Sequence, residues 1–270
     1  MAHERATRSA VPLIFLLWAG TLSAIPPQAE KRPGEGPQAG KERPASDHDT
    51  GQGETHPLCT AAVEETSRGT IAEYRQALRA RADDSTLHYC LGNALYQAGQ
   101  LEPAIGAYKE ALRLKPDLAE ARNGIGNALM GRADLTGAIL EYRSAIRLKP
   151  DLAEAHYNLA LALDDKRDFV GGLEAFREAV RLKPEDAEAH FLLGVELFRN
   201  RDHDAAIAEL RKATSLRPDW ALAHYRLGLM LGANGDSESG SYEFNELWKL
   251  GPNYPVILER EEQILRRIRR

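Results

Sequence analysis

Cysteine is nearly absent: the chain has two, Cys59 and Cys90, and no Cys-x-x-Cys spacing, which excludes a thiolate-rich zinc cluster and a thioredoxin-like redox pair. An excess of positive charge is missing too. Lys and Arg number 35 against 40 Asp and Glu, for a formal net charge of −5, so no broad basic face attracts a phosphate backbone and nucleic acid is not an expected partner. Long apolar runs are also lacking. The longest, Val11–Leu22, is shorter than the ~20 residues a membrane-spanning helix needs, so no stable span is expected. The chain has no His-Glu-x-x-His, no Gly-x-Ser-x-Gly and no Gly-x-x-x-x-Gly-Lys, the spacings that carry zinc hydrolysis, serine hydrolysis and phosphate cradling. Gly124-Ile125-Gly126 begins like a dinucleotide fingerprint, but it sits inside a helical pattern with no strand before it. Neither a catalytic reaction nor a cofactor is expected.

What is present divides the chain into zones. Arg5 and Arg8 precede the apolar run, and Thr21-Leu22-Ser23 offers small residues before Ala24, so residues 1–23 read as a signal peptide, with a retained anchor as the alternative. Residues 24–56 are rich in Pro, Gly and charge and hold almost nothing to bury, which predicts a disordered tether. Together these predict an exported protein, periplasmic or extracellular. The rest is apolar enough to fold, since hydrophobic residues make up 43% of the chain.

The folded part carries a period. Lys115-Pro116-Asp117, Lys149-Pro150-Asp151, Lys183-Pro184-Glu185, Arg217-Pro218-Asp219 and Gly251-Pro252-Asn253 recur every 34 residues without a slip. With Pro116 as position 32, the slots 7, 8 and 11 hold Leu91, Gly92 and Leu95 in the first repeat, and the slots 20, 24 and 27 hold Ala104, Tyr108 and Ala111. The same apolar and small residues return in each of five units over residues 85–252. Offsets of three, four and seven put them on one face of each of two helices, A and B, and small residues at 8 and 20 permit close approach. Proline ends helix B, and Asp117 with Glu120, or Asp151 with Glu154, has the spacing of a capping box for the next helix. Residues 57–84 read as a degenerate leading repeat. Ile257, Leu258, Ile264, Leu265 and Ile268 form an apolar stripe that predicts a capping helix over 253–270. The terminal Arg266–Arg270 run reads as a solvated cap end, with contact to an anionic surface as the alternative.

These residues resemble the tetratricopeptide repeat family, whose pattern has Trp-x2-Leu-Gly-x2-Tyr, Ala-x3-Phe and Pro at this period. The resemblance covers residues 85–252. It implies an all-α fold, a right-handed solenoid of antiparallel helix pairs, and a concave surface lined by helix A that holds a protein or extended peptide. One departure is consistent: position 4, Trp in the family, is His88, Arg122, His156, His190 and His224 here. The four imidazoles are expected to replace the indole in packing rather than to bind metal, because neighbouring repeats are ~8–10 Å apart and no carboxylate or thiolate completes a shell.

The lining implied by the resemblance is Tyr89, Asn93, Asn123, Asn127, Tyr157, Asn158, Phe191, Tyr225 and Arg226, with Tyr96, Met130, Asp164, Val195, Phe198 and Arg199 beside them. Aromatic rings give rigid contact area, and Asn pairs a donor with an acceptor. One branch of the family grips acidic C-termini through a clamp of Lys and Asn. Asn127 and Asn158 match its amides, but its cationic slots are Asn123, Glu188 and Leu192, and Glu120, Glu154 and Glu188 place a carboxylate in each of three repeats. A neutral or basic segment is therefore the expected ligand. The alternative is a structural self-association module in which end repeats pack on a second copy of the chain. Cys59 and Cys90 are either bridged, stapling the leading repeat to the first regular one, or two buried thiols.

The mature chain is expected to begin near Ala24 or Ile25. Intact mass under non-reducing conditions checks this, and a retained Met1 contradicts it.

Overall fold

A computed structural model describes Cys59 and residues 70–250. The expected signal segment 1–23, tether 24–56 and capping segment 253–270 lie outside the described residues, as do residues 57–69 apart from Cys59. Among the described residues there are eleven helices and no strand. They are α1 (Ile71–Ala80), α2 (Ser85–Gln97), α3 (Leu101–Leu114), α4 (Ala119–Gly131), α5 (Leu135–Leu148), α6 (Ala153–Asp165), α7 (Phe169–Leu182), α8 (Ala187–Arg199), α9 (His203–Leu216), α10 (Ala221–Ala233) and α11 (Ser237–Lys249). The even-numbered helices are the A helices of the five repeats and the odd-numbered ones from α3 are their B partners; α1 is the B helix of the leading repeat.

Each boundary has a local cause. Helix B ends at Lys115, Lys149, Lys183 and Arg217, whose φ of −133° or below and ψ of 77–90° are extended. Proline follows each one, and its ring excludes the α conformation from the residue before it. The A-to-B turn passes through a left-handed residue in every repeat: Gly99 (φ 72°), Ala133 (61°), Arg167 (64°), Arg201 (63°) and Gly235 (90°). The next amide reaches back to a carbonyl five residues earlier, as in Asp134 to Leu129 at 2.9 Å and Asp168 to Leu163 at 2.8 Å, which satisfies an otherwise orphaned group at the helix end. In four repeats that same residue is an Asp, and it caps the B helix: Asp134, Asp168, Asp202 and Asp236 each accept from the third amide of the helix they precede.

The A helices start differently from the sequence expectation. The Asp117/Glu120 and Asp151/Glu154 capping boxes do not form, because the N-cap residues are Leu118 and Leu152 and neither makes a side-chain cap bond. The aspartates stand one residue too early. Asp84 and Asp186, at the true N-cap, each accept two backbone amides, and the capping box of the described chain is Thr70 with Glu73 on α1.

Packing follows the small-residue slots. A and B pack within each repeat, each B helix packs on the next A helix, and A helices also touch directly, α2 with α4 and α4 with α6. Position 24 supplies the large residue: Tyr108, Tyr142, Phe176 and Leu210 are 0–1% exposed. Tyr108 fills space left by two glycines at once. A Cβ on Gly92 or on Gly124 would stand 2.6 Å from its ring, so one side chain keys helix A of its own repeat and helix A of the next. Tyr142 lies against Gly126 in the same way.

Two alanine substitutions separate packing from helix propensity. Gly106 on α3 has open space around it, so Gly106→Ala is expected to raise stability by about 0.5–1 kcal/mol. Gly126→Ala gains the same propensity but collides with the Tyr142 ring, at a cost of roughly 1–3 kcal/mol, so a net loss is expected. Denaturant melts of the two variants check the opposite signs.

Candidate partner-binding face

Because A helices approach one another while B helices stand outside them, the A helices form the inner face of the array. Its side chains meet in a stair with a sequence step of 31. Position 5 of one repeat meets position 2 of the next, and position 9 meets position 6. Asn123 Nδ2 donates to Glu154 Oε1 at 2.9 Å, and Tyr157 Oη donates to Glu188 Oε1 at 2.8 Å. Asn158 Nδ2 donates to Asn127 Oδ1 at 3.0 Å and, with its second hydrogen, to Asn123 Oδ1 at 3.1 Å. Cys59 and Cys90 are 31 residues apart and joined by a disulfide, with Cα atoms 5.5 Å apart. This bond occupies in the first step the slot that the Asn127–Asn158 hydrogen bond occupies in the third.

The buried phenols behind the face fix the amides. Tyr108 Oη donates to Asn93 Oδ1 and Tyr142 Oη donates to Asn127 Oδ1, each at 2.8 Å. Burial pushes both phenols well above their ordinary pKa, so they remain protonated donors. Asn127 Oδ1 thus takes two donors, which settles its amide orientation and turns Nδ2 outward. Asn127 Nδ2 and Asn158 Oδ1 are left, a donor and an acceptor on two amides joined by a hydrogen bond, with no hydrogen-bond partner of their own among the described residues.

The nine residues assigned to the lining divide by what they touch. Asn123, Asn127 and Asn158 come together in one network. Asn93 lies apart, between Tyr108 and Cys59, whose Sγ is 3.8 Å from its Nδ2. Tyr89 is buried against Tyr108, with ring centroids 6.0 Å apart, and Phe191 is buried against Trp220 at 4.6 Å. Buried Tyr89, Asn123 and Phe191 therefore pack the array, in contrast to the open contact surface expected of them. Tyr157 and Tyr225 are half-buried and edge-on to Phe176 and Phe244, and Arg226 is half-buried.

Acidic groups dominate the face. Lys149 pairs with Glu120 at 2.9 Å, and Arg199 bridges Asp164 of the preceding A helix at 2.6 Å and Glu196 of its own helix at 2.9 Å. Arg199 also lies 5.6 Å from the centre of the Phe169 ring. Glu154 and Glu188 have as partners the neutral amide of Asn123 and the neutral phenol of Tyr157. Towards repeats four and five the lining turns apolar, with Val195 half-buried and Phe198 and Leu229 each 37% exposed.

Sequence reasoning passed over the role of position 4. The imidazole Nε2 of His88, His156, His190 and His224 lies 2.9–3.0 Å from a carbonyl oxygen six residues earlier, so the ring ties helix A to the turn before it and is more than packing. Position 23 carried the missed signal: it is Glu in repeats two, four and five. There Glu141 meets Arg122 at 3.2 Å, Glu209 meets His190 Nδ1 at 2.6 Å, and Glu243 meets His224 Nδ1 at 2.7 Å. Among the described residues no three His, Cys, Asp or Glu side chains are placed to hold a metal ion, and no helix is long and apolar enough to cross a membrane.

Comparison with known proteins gives these repeats a family. The models described as TPR repeat match residues 92–131 and 132–165, and those described as tetratricopeptide repeat match 157–219 and 191–255, so the matches run together from 92 to 255. No curated protein matches the sequence. Among solved structures, YrrB, described as a TPR protein with an unusual peptide-binding site, is 22% identical over 72% of this chain and 100% of its own, with a TM-score of 0.58. MamA from Desulfovibrio magneticus RS-1 is 23% identical over 62% of this chain and 94% of its own, with a TM-score of 0.55. In the Cut9–Hcn1 hetero-tetramer of APC/C the match is 19% identical over 70% of this chain and 38% of that one, with a TM-score of 0.57. These likenesses concern the fold, while the repeat matches, which span more than half of the chain, show that it belongs to the tetratricopeptide repeat family.

Proposed function

We propose that the chain is an exported, non-catalytic adaptor that holds an extended segment of a partner protein along its A-helix face. The observation that carries this reading is the outward pair formed by Asn127 Nδ2 and Asn158 Oδ1. A donor and an acceptor on two joined amides can meet the carbonyl and amide of a peptide unit, and the phenol of Tyr142 and the amide of Asn123 hold the two in position. YrrB, a similar fold, is described as having a peptide-binding site, and only that class of ligand is carried over here.

The charge of the face selects the ligand further. Glu154 and Glu188 are bonded to neutral donors rather than to cations, and an acidic peptide terminus meets no matching cation at the slots of Asn123, Glu188 and Leu192. Like-charge repulsion disfavours acidic ligands, so neutral or basic segments are preferred. Export is supported by the amino-terminal pattern of Arg5, Arg8 and the apolar run, and by the Cys59–Cys90 disulfide, a bond that persists in oxidising compartments.

Titrating the mature chain with one basic and one acidic peptide of equal length tests the reading. Binding of the basic peptide alone is expected, and Asn127→Ala with Asn158→Ala is expected to weaken it about tenfold or more, the equivalent of one or two hydrogen bonds. Asn127→Asp keeps the acceptors for Tyr142 and Asn158 and replaces the outward donor with a charged acceptor. Weaker binding of a neutral peptide with an unchanged melt would identify that donor, and tighter binding of the acidic peptide would overturn the reading.

A further inference from the structure

His224 in repeat five is held at both ring nitrogens by acceptors. Nε2 lies 2.9 Å from the Pro218 carbonyl oxygen in the turn before α10, and Nδ1 lies 2.7 Å from Glu243 Oε2 on α11. A neutral imidazole carries one N–H and can satisfy only one of these; the imidazolium donates to both. The ring is 7% exposed and Glu243 is 12% exposed at its side chain, so water does not readily replace a lost bond. Protonated, the side chain fastens three pieces: the turn, α10 and α11.

The same slot takes other forms along the array. In repeat two it is Arg122 with Glu141, a pair whose cation is a guanidinium rather than an imidazole. In repeats one and three position 23 is Ala107 and Ala175, and His88 and His156 make one hydrogen bond each, which a neutral ring supports. The carboxylates near those rings, Glu110 and Glu178, are paired with Arg113 at 2.8 Å and Arg181 at 2.6 Å. Repeat four has a hydrogen-bond acceptor at each ring nitrogen of His190, but position 26 there is Lys212. Only in repeat five do two carboxylates, Glu243 and Glu246, stand at positions 23 and 26 beside a histidine.

We propose that His224 is a proton-gated latch on repeat five: protonated, it locks α10 and α11 to the preceding turn, and on losing its proton it releases them while repeats one to three stay closed. The groups that face the ring agree. From α11 come Glu243 and Glu246, the latter bonded to Lys249 at 2.5 Å. From the turn comes the Pro218 carbonyl, and the guanidinium of Arg217 in that turn lies over the Trp220 ring at 3.6 Å. The buried residues of α9 are Ala206, Ile207, Leu210, Ala213 and Thr214, none of which titrates. Burial lowers the ring's pKa, but the hydrogen bonds to Glu243 and the Pro218 carbonyl and the charges of Glu243 and Glu246 outweigh it, and the pKa stands above its ordinary 6.5. With the folded value above the unfolded one, the latch contributes fully below about pH 6.5 and is lost as the pH rises through the folded value. Tyr225 and Arg226 are the next residues on α10, so this end of the partner face is released with it. That consequence rests on the adaptor reading, whereas the latch itself does not.

Amide hydrogen exchange of the ligand-free full chain between roughly pH 5.5 and 8.5, corrected for intrinsic rates, tests the latch independently of any partner. In α10 and α11 the opening constant is expected to grow towards tenfold per pH unit while the ring titrates, the limit for release of one proton, and α4 and α5 are expected to show no such slope. His224→Arg copies the pair of repeat two and should retain protection at high pH without the slope. Should that variant fold poorly, Glu243→Gln decides, since the amide still accepts from Nδ1 but no longer stabilises the cation, and a reduced slope is expected. A flat wild-type profile in α10 and α11, or a wild-type slope retained in Glu243→Gln, overturns the proposal.

Discussion

Everything in the array depends on one exchange of volume between helices. Position 8 or 6 of helix A is small, and position 24 of a neighbouring helix B fills the space with a ring or, in repeat four, with Leu210. Tyr108 stands over both Gly92 and Gly124, which belong to successive repeats, so the same contact closes one hairpin and docks the next. Where the small residue moves, its partner compensates. Repeat three has Ala160 at position 8 and Gly172 at position 20, and the backbones still approach, with a Cβ on Gly172 only 3.4 Å from the Ala160 carbonyl oxygen. Such nearest-neighbour contacts carry most of the cohesion of a repeat array, which has no single centre to bury.

That close approach brings A helices near enough for their inner-face side chains to bond, and the stair with a step of 31 is the result. Its chemistry changes along the chain while its geometry does not. The 9-to-6 step is a disulfide at Cys59–Cys90 and an amide pair at Asn127–Asn158, and it is Leu161 with Leu192 further on, both buried in one apolar cluster. A covalent end, a polar middle and an apolar far section therefore follow from substitutions at equivalent positions rather than from any change of fold. In the polar middle, hydrogen bonds within the stair use up most of the capacity of the amides, and what remains for a ligand is the small remainder at Asn127 and Asn158.

The helix pairing was legible in the sequence because volume and periodicity are local signals: a proline every 34 residues, a glycine or alanine at 8, a ring or leucine at 24. The helix starts were less so. Asp117 and Asp151 read as caps on spacing alone, but the preceding proline fixes the turn and moves the cap one residue on, to Leu118 and Leu152. The left-handed turn at position 15 was hidden because only Gly99 and Gly235 advertise it, while Ala133, Arg167 and Arg201 adopt it under the constraint of the bond that closes each turn. The lining was legible by position and not by role. Whether Asn123 offers its amide to a ligand or gives it to Glu154 depends on a residue 31 places away on another helix, and no local pattern records that distance.

Position 4 shows how a repeat protein can vary one physical property at a time. Its side chain always reaches towards the turn before helix A in the histidine repeats, and its second contact depends on whether position 23 is Ala or Glu. With Ala, the imidazole has one hydrogen bond, to the turn, and no carboxylate at position 23; with Arg and Glu, the cation is a guanidinium. With His and Glu, the charge depends on the solution. Because each repeat touches only its neighbours, such a choice alters the strength of one junction and leaves the distant ones as they were. The order here places the Arg–Glu pair, Arg122–Glu141, in the repeat that carries Asn123 and Asn127, and the His–Glu pairs, His190–Glu209 and His224–Glu243, in the repeats whose lining turns apolar. The section whose hydrogen-bond geometry must stay in register is braced by a guanidinium, and the section that relies on non-directional apolar contact is braced by imidazoles.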